Sequence, residues 1–292
     1  MSGDATVAVA VGAVVVNYQA ASVLPACVAS LRANGVSQVV VVDNGDCWGP
    51  HDAAGEAALA EAGLEVTWVP AGANVGYGRA VNLGARSCPA GTPLLVCNPD
   101  IELRPGAVAA MVADLGSDGG VGVVGPRLLN ADGSVYPSAR TFPSMIDAAG
   151  HGLLGLAWPG NPFSRRYRLL DWDRRDSRVV DWVSGACFLI RRQAFDDVGG
   201  FDPRYFMYME DVDLCWRVGR AGWRVLYQPA AEVVHAQGIS AERHPYRMIA
   251  AHHKSMWQFA RRSTTGWRRG LLPVVAAAVA ARSAVACGAK WN

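Results

Sequence analysis

The stretch Val7-Ala-Val-Ala-Val-Gly-Ala-Val-Val-Val-Asn17-Tyr18 decides the fold. Residues 7–16 make a nearly continuous, β-branched apolar run that ends in two polar residues. Such a run fits a strand covered on both faces, as in parallel sheets flanked by helices. Asp4 precedes the run and the first arginine is Arg32, so the basic flank of a signal peptide is missing and a buried strand is the better reading. Outward from it, Leu24, Cys27, Val28 and Leu31 recur at helical spacing. Val39–Val42 reads as a second buried strand ending at Asp43-Asn44-Gly45, Ala53–Ala62 as a helix and Val66–Val69 as a third strand. A glycine-rich loop at Asn74–Gly78 leads into a helix at Ala80–Ala85. Leu94–Cys97 is the fourth strand, ending at Asn98-Pro99-Asp100, and Pro105–Leu115 is a helix. Four alternations of strand and helix within 115 residues predict a doubly wound α/β sheet. Ligands of such sheets bind beyond the carboxyl ends of the strands. Asn17-Tyr18, Asp43-Asn44, Asn74–Arg79 and Asn98–Asp100 all fall at those ends or in the loops after them.

The rest of the chain is less regular. Pro126, Pro137, Pro143, Pro159 and Pro162 break up residues 120–180, where Arg165, Arg166, Arg168, Arg174, Arg175 and Arg178 alternate with aromatic and acidic residues. Val179–Arg191 reads as a strand pair or one long strand, and Gly200–Glu210 as an aromatic turn. A helix follows at Asp211–Ala221, then short strands at Arg224–Tyr227 and Glu232–His235 and helix from Pro245 onward. With 292 residues, 51% of them hydrophobic and 18% charged, the chain is no disordered tail, collagen or coiled coil. A net charge of +2 is too small for nucleic acid as the main partner. Seven cysteines with no C-x-x-C spacing argue against a disulfide framework or structural zinc and fit buried thiols in a reducing cytoplasm. Near the end, Leu271–Ala281 is apolar, Arg282 interrupts it, and Arg261, Arg262, Arg268 and Arg269 precede it. The uninterrupted run is shorter than the ~18 residues that span a bilayer. A helix lying on an anionic membrane surface and a plain packing helix both fit.

Four groups of residues carry candidate chemistry. Asp100 projects past a strand end, where a carboxylate either ligates Mg²⁺ or Mn²⁺ together with a phosphate or simply bonds its own turn. Asp43 and Asn44 end a strand, where a carboxylate accepts a base N–H or a ribose hydroxyl, or makes a turn. Gly72, Gly76 and Gly78 surround Asn74 ahead of a helix containing Asn82, so backbone amides and a helix N-terminus can meet a phosphate. The spacing is neither G-x-G-x-x-G nor G-x-x-x-x-G-K-[ST], which argues against a dinucleotide fold or a P-loop. Glu210-Asp211-Val212-Asp213 is the densest acidic cluster. Asp211 there is either a general base near a helix N-terminus or an N-cap. Asp213 has Arg217 four residues on, a helical ion pair. His235 gains interest if it meets Asp100.

Taken in order, Val14–Tyr18, Val40–Gly45, Gly72–Asn82, Cys97–Asp100, Ser184–Arg191 and Gly199–Ala221 resemble the inverting nucleotide-sugar glycosyltransferases of family 2, with the GT-A fold. Gly199-Gly200-Phe201-Asp202, followed by Tyr208-Met209-Glu210-Asp211-Val212-Asp213-Leu214-Cys215-Trp216-Arg217, is specific and resembles the rhamnosyltransferase branch. The resemblance implies a mixed, mainly parallel sheet over residues 1–240. A nucleotide-sugar half would occupy 1–115, an acceptor and catalytic half 116–240, and a helical, membrane-surface segment 241–292. It implies donor contacts from Asn17, Asp43, Asn44, Asn74, Gly76, Asn82 and Asp100, and acceptor contacts from Trp182, Ser184, Gly185 and Glu210. Asp211 would be the catalytic base. Asp100 and His235 would hold Mg²⁺ or Mn²⁺, with Asn98 where the usual motif has an aspartate. The implied donor is dTDP-β-L-rhamnose and the implied acceptor a polyprenyl-diphosphate-linked N-acetylglucosamine, met at the cytoplasmic face of the membrane. Three rivals are a glycosyltransferase of the same fold with another sugar donor or a polysaccharide acceptor, which motifs separate poorly; a nucleotidyltransferase, which would show a glycine- and arginine/lysine-rich loop where Asn17-Tyr18-Gln19 stands; and a non-catalytic sugar-nucleotide binder, against which Asp100 and Asp211 argue.

Overall fold

A computed structural model describes residues 9–45, 53–142, 160–236 and 245–291, together with Leu154 and Trp158. The apolar run becomes β1 (Val9–Asn17), followed by α1 (Leu24–Ala33), β2 (Val36–Asp43), α2 (Ala53–Glu61), β3 (Thr67–Pro70), α3 (Tyr77–Ala85) and β4 (Leu94–Cys97). Then come β5 (Ile101–Leu103), α4 (Ala107–Ser117), β6 (Val121–Leu129), β7 (Ala139–Arg140), α5 (Pro162–Arg168), β8 (Arg178–Val180), β9 (Trp182–Val183) and β10 (Cys187–Ile190). The chain continues through α6 (Arg192–Asp197), α7 (Glu210–Arg220), β11 (Arg224–His235), α8 (Pro245–Ser263), a 3₁₀ turn at Gly266–Leu271 and α9 (Leu272–Trp291).

The main sheet runs β3-β2-β1-β4-β10-β6-β11-β5, with β8 also on β11. Strands β1, β2, β3, β4, β6 and β11 point one way and β5, β8 and β10 the other, so the sheet is mixed and mainly parallel. The four-residue run Leu94–Cys97 is buried throughout, as a strand covered on both faces must be. One face packs Val14, Val40 and Val96 against Val81 of α3, Phe195 of α6, Leu214 of α7 and Phe259 of α8. The other packs Val15, Val41 and Leu95 against Leu31 of α1, Leu59 of α2 and Met111 of α4. The sheet crosses residue 115 without a break, whereas the boundary expected at residue 240 lies outside the described residues.

Several sequence expectations change. Residues 179–191 form three short strands, and β9 leaves the main sheet to pair with β7. The two strands expected between Arg224 and His235 are one, with a register shift between Gln228 and Glu232 that the apolar pattern reads as a gap. The C-terminal run is longer than the apolar stretch suggests. A helical span of 22 residues, Gly266–Cys287, passes through Arg282, and its most apolar window has a mean hydropathy of 1.8 with none of it buried. By length and composition it suffices to cross a membrane, and it is not a core helix. The described cysteines are all free, with Cys287 alone among them not fully buried; Cys47 lies outside the described residues.

Candidate active site

The parallel half of the sheet brings Asn17 opposite Asp43 at the carboxyl ends of β1 and β2. Strand β10 runs antiparallel to β4 with Cys187 opposite Cys97, so the residues just before it arrive at the end of β4, where Asn98 N donates to Ala186 O at 2.8 Å. Asp211 lies here. Its Oδ2 accepts from Gly185 N at 2.8 Å and its Oδ1 from Val212 N at 2.8 Å. The approach is close: a Cβ on Gly185 would stand 3.2 Å from Asp211 Cβ, so the Asp211 side chain would have to shift. Tyr77 of α3 donates its hydroxyl to Gly185 O at 2.7 Å, fixing the same residue from the other side.

Asp211 occupies the first turn of α7, whose N-cap is Met209, so it is not the N-cap. Burial raises its pKa; the two N–H bonds and the nearby Arg140 guanidinium pull it back. Glu210 beside it is 6% exposed, and its Oε2 has no hydrogen-bond partner. Burial first and the Asp211 charge second push Glu210 up to about 8. Asp213 pairs with Arg217 at 2.6 Å, as its spacing predicts.

Asp100 and His235 meet. The antiparallel pair of β11 and β5 sets His235 opposite Ile101, and His235 Nε2 lies 3.2 Å from Asp100 Oδ1. Asn98 Nδ2 is 3.4 Å from the same ring nitrogen, and the buried Nδ1 has no partner among the described residues. A carboxylate and an imidazole converging at a strand end fit a divalent ion that takes its other ligands from phosphate and water. Among the described residues no group of three His, Cys, Asp or Glu forms a fuller set.

The expected donor residues divide. Asn44 donates to Asn74 Oδ1 at 3.3 Å and accepts from Val75 N at 2.9 Å, and Asn74 accepts from Gly76 N at 3.1 Å. These contacts shape the loop ahead of α3, next to Asp43. Gly76, at φ 88°, sits where a Cβ would be 2.3 Å from Phe206 O, so its role is a close approach to the loop before Asp211. Asn17 is fully buried and its side chain accepts from Ala20 N. Asn82 is bound to both polar groups of Phe201, at 2.8 and 2.9 Å. Both side chains thus hold local backbone in place. On the other side, Trp182 donates to Thr141 O at 2.9 Å, and Ser184 Oγ accepts from Ala186 N at 3.3 Å. Arg140, which no sequence pattern singles out, lies over the Trp182 ring at 5.1 Å and the Tyr167 ring at 5.6 Å. Neither Arg140 nor Tyr77 carries a motif; each becomes visible only through contacts distant in sequence.

A helix-flanked sheet with carboxylates gathered at its strand ends is the setting of nucleotide-sugar transfer. The profile of the family described as "Glycosyltransferase like family 2" matches residues 8–270, and the chain belongs to that family. Mycobacterium tuberculosis N-acetylglucosaminyl-diphospho-decaprenol L-rhamnosyltransferase is 43% identical over 253 residues, covering 83% of this chain and 80% of that protein. Rhamnosyltransferase WbbL of Escherichia coli is 39% identical over 98 residues, 34% of each chain. Solved structures show the GT-A fold. The mannosyltransferase PcManGT from Pyrobaculum calidifontis, in complex with GDP-Man and Mn²⁺, aligns with a TM-score of 0.58 at 16% identity over 96% of this chain and 74% of that one. GalNAc-T7 with UDP, GalNAc and Mn²⁺ aligns with a TM-score of 0.57 at 17% identity over 79% and 44%. The chain is a glycosyltransferase.

Proposed function

We propose that this enzyme transfers L-rhamnose, with inversion, from dTDP-β-L-rhamnose to the 3-hydroxyl of a polyprenyl-diphosphate-linked N-acetylglucosamine. The observation that carries the chemistry is the Asp211 carboxylate held by Gly185 N–H at the strand ends; the mycobacterial relative's name supplies the sugar and the acceptor. Each Asp211 oxygen spends one lone pair on a backbone N–H and keeps another for the acceptor hydroxyl. Burial makes it a stronger base than an exposed aspartate. It takes the hydroxyl proton as that oxygen attacks the anomeric carbon from the face opposite the leaving dTDP. Asp43 and the Asn44–Asn74–Gly76 loop would receive the nucleoside. Asp100 and His235 would hold Mg²⁺ or Mn²⁺, whose charge offsets the charge developing on the leaving diphosphate. The exposed apolar helix after Arg268 and Arg269 would keep the enzyme at the cytoplasmic membrane face, where a polyprenyl acceptor resides.

The test is transfer from dTDP-L-rhamnose to a polyprenyl-diphospho-N-acetylglucosamine analogue, with each metal and with chelator. Metal-dependent formation of an α-linked rhamnosyl product is expected. Product from another sugar nucleotide in its place would overturn the donor assignment, and full activity in chelator would overturn the metal assignment.

A further inference from the structure

The arginine-rich stretch around residues 165–178 has no part in the chemistry above, yet the fold gathers it around a cavity of about 600 Å³. Arg165 and Arg166 of α5 and Arg178 at the start of β8 line it, with Thr141, Phe142 and Trp172 among the remaining walls. Arg165 pairs with Asp171, and Arg166 and Arg178 add two further arginine side chains to the wall. The Arg178 guanidinium lies 5.3 Å over the Trp172 ring, and Leu169 adds further apolar wall. Forked cations beside an aromatic and aliphatic surface match a ligand that is anionic at one end and hydrocarbon at the other.

The cavity wall at Thr141 adjoins Arg140, whose charge acts on Asp211. Thr141 follows Arg140, and its carbonyl accepts from Trp182 Nε1 at 2.9 Å. Phe142 N donates to Asp181 Oδ2 at 2.6 Å. From Trp182 it is three residues along the chain to Gly185, which holds Asp211. We infer that the cavity lined by Arg165, Arg166, Arg178 and Trp172 is the acceptor's diphosphate subsite, taking a polyprenyl diphosphate with its phosphates on the arginines and its first isoprene units on the aromatic wall. The inference rests on the acceptor class proposed above and adds where this chain holds it.

Farnesyl diphosphate is the probe, titrated calorimetrically into the full chain and into the double variant Arg166→Gln/Arg178→Gln. Losing a charge-assisted hydrogen bond costs at least about tenfold per arginine. The double variant should therefore bind about a hundredfold more weakly, and Arg166→Lys/Arg178→Lys should recover part of the loss. dTDP should not displace the probe, and vesicles of phosphatidylglycerol should bind wild type and double variant alike. Equal farnesyl diphosphate affinity in wild type and double variant overturns the inference. So does displacement by dTDP, which would give the arginines to the donor, and so does arginine-dependent vesicle binding, which would give them to lipid headgroups. In the transfer assay, the double variant should raise the KM for the acceptor with the KM for the donor unchanged. A failed rhamnose assay refutes the function while the calorimetry still reads the subsite. Normal transfer with unchanged acceptor KM refutes the subsite while the function stands.

Discussion

Asp211→Asn removes the base and keeps its shape. In the wild type both carboxylate oxygens accept a backbone N–H, from Gly185 and from Val212, each at 2.8 Å. A carboxamide keeps one acceptor and turns its NH₂ toward the other donor. One half-buried hydrogen bond is lost and an N–H is left unsatisfied, which costs about 1–3 kcal/mol of stability. That lowers Tm by several degrees in a chain of this size and leaves it folded. The chemical loss is larger: a positioned base contributes about 10²- to 10⁴-fold, or about 3–5 kcal/mol of barrier. Donor affinity should hold, because the residues proposed for the nucleoside and diphosphate belong to other strands. Three readouts separate the effects: single-turnover transfer, calorimetric titration of the sugar nucleotide, and thermal melting. A folded variant with kcat within tenfold of wild type would refute the base assignment. Donor affinity falling in step with kcat would refute it too, since the carboxylate would then be shaping the site and not taking a proton.

Glu210→Gln tests the carboxyl beside it. The folded pKa lies near 8, above the ordinary carboxylate value, so the stability tied to the protonated form is full below that ordinary range and is lost as pH rises toward about 8. Urea unfolding between pH 5 and 8.5 should show wild-type stability falling by up to about 1.4 kcal/mol per pH unit, a slope that Glu210→Gln flattens; parallel slopes would refute the shift. Arg262→Ala removes a guanidinium that pairs with Asp202 and lies 3.5 Å from the buried Asp213. It should cost about 2 kcal/mol, read as a lower urea midpoint, and an unchanged midpoint would show that Arg217 and Tyr205 satisfy Asp213 without it. Ending the chain after Thr265 removes the exposed apolar span and should move the protein from the membrane fraction to the soluble one; retention would refute membrane attachment through that helix.

What the sequence shows well is what local pattern controls. Buried runs are legible because burial on both faces leaves an unbroken apolar stretch; Leu94–Cys97 is a strand with the bounds the pattern predicts. The meeting of Asp100 with His235 is legible through the family motif, although the contact itself is made by β11 reaching β5 across 135 residues. Asn17 and Asn82 mark a limit of the sequence, because a polar residue at a strand end or in a helix facing a glycine turn looks the same whether it serves a ligand, the backbone or both. The Phe201 peptide that occupies Asn82 lies 119 residues away. Residues 179–191 mislead for a related reason. Three two- to four-residue strands in two sheets leave no periodicity long enough to separate them.

The position of Asp211 also depends on backbone that the motif does not explain. Tyr208 and Met209, just before it, both take left-handed φ, 66° and 65°, a conformation that costs a non-glycine residue about 1–3 kcal/mol each. Contacts from both ends of the chain offset that cost. Tyr77 N donates to Phe206 O at 3.1 Å, made possible by the missing side chain of Gly76. From α8, Ser255 donates to Met207 O at 3.0 Å, and His252 packs on the Tyr208 ring with centroids 5.1 Å apart. The turn that aims the carboxylate is therefore clamped between the loop proposed for the nucleotide and the helix that leads into the exposed apolar span. α8 thus bears on the same peptide units that lead into Asp211. The side chains explain why these two positions are not glycine: the Tyr208 ring is the surface His252 of α8 packs on, and Met209 packs against the core.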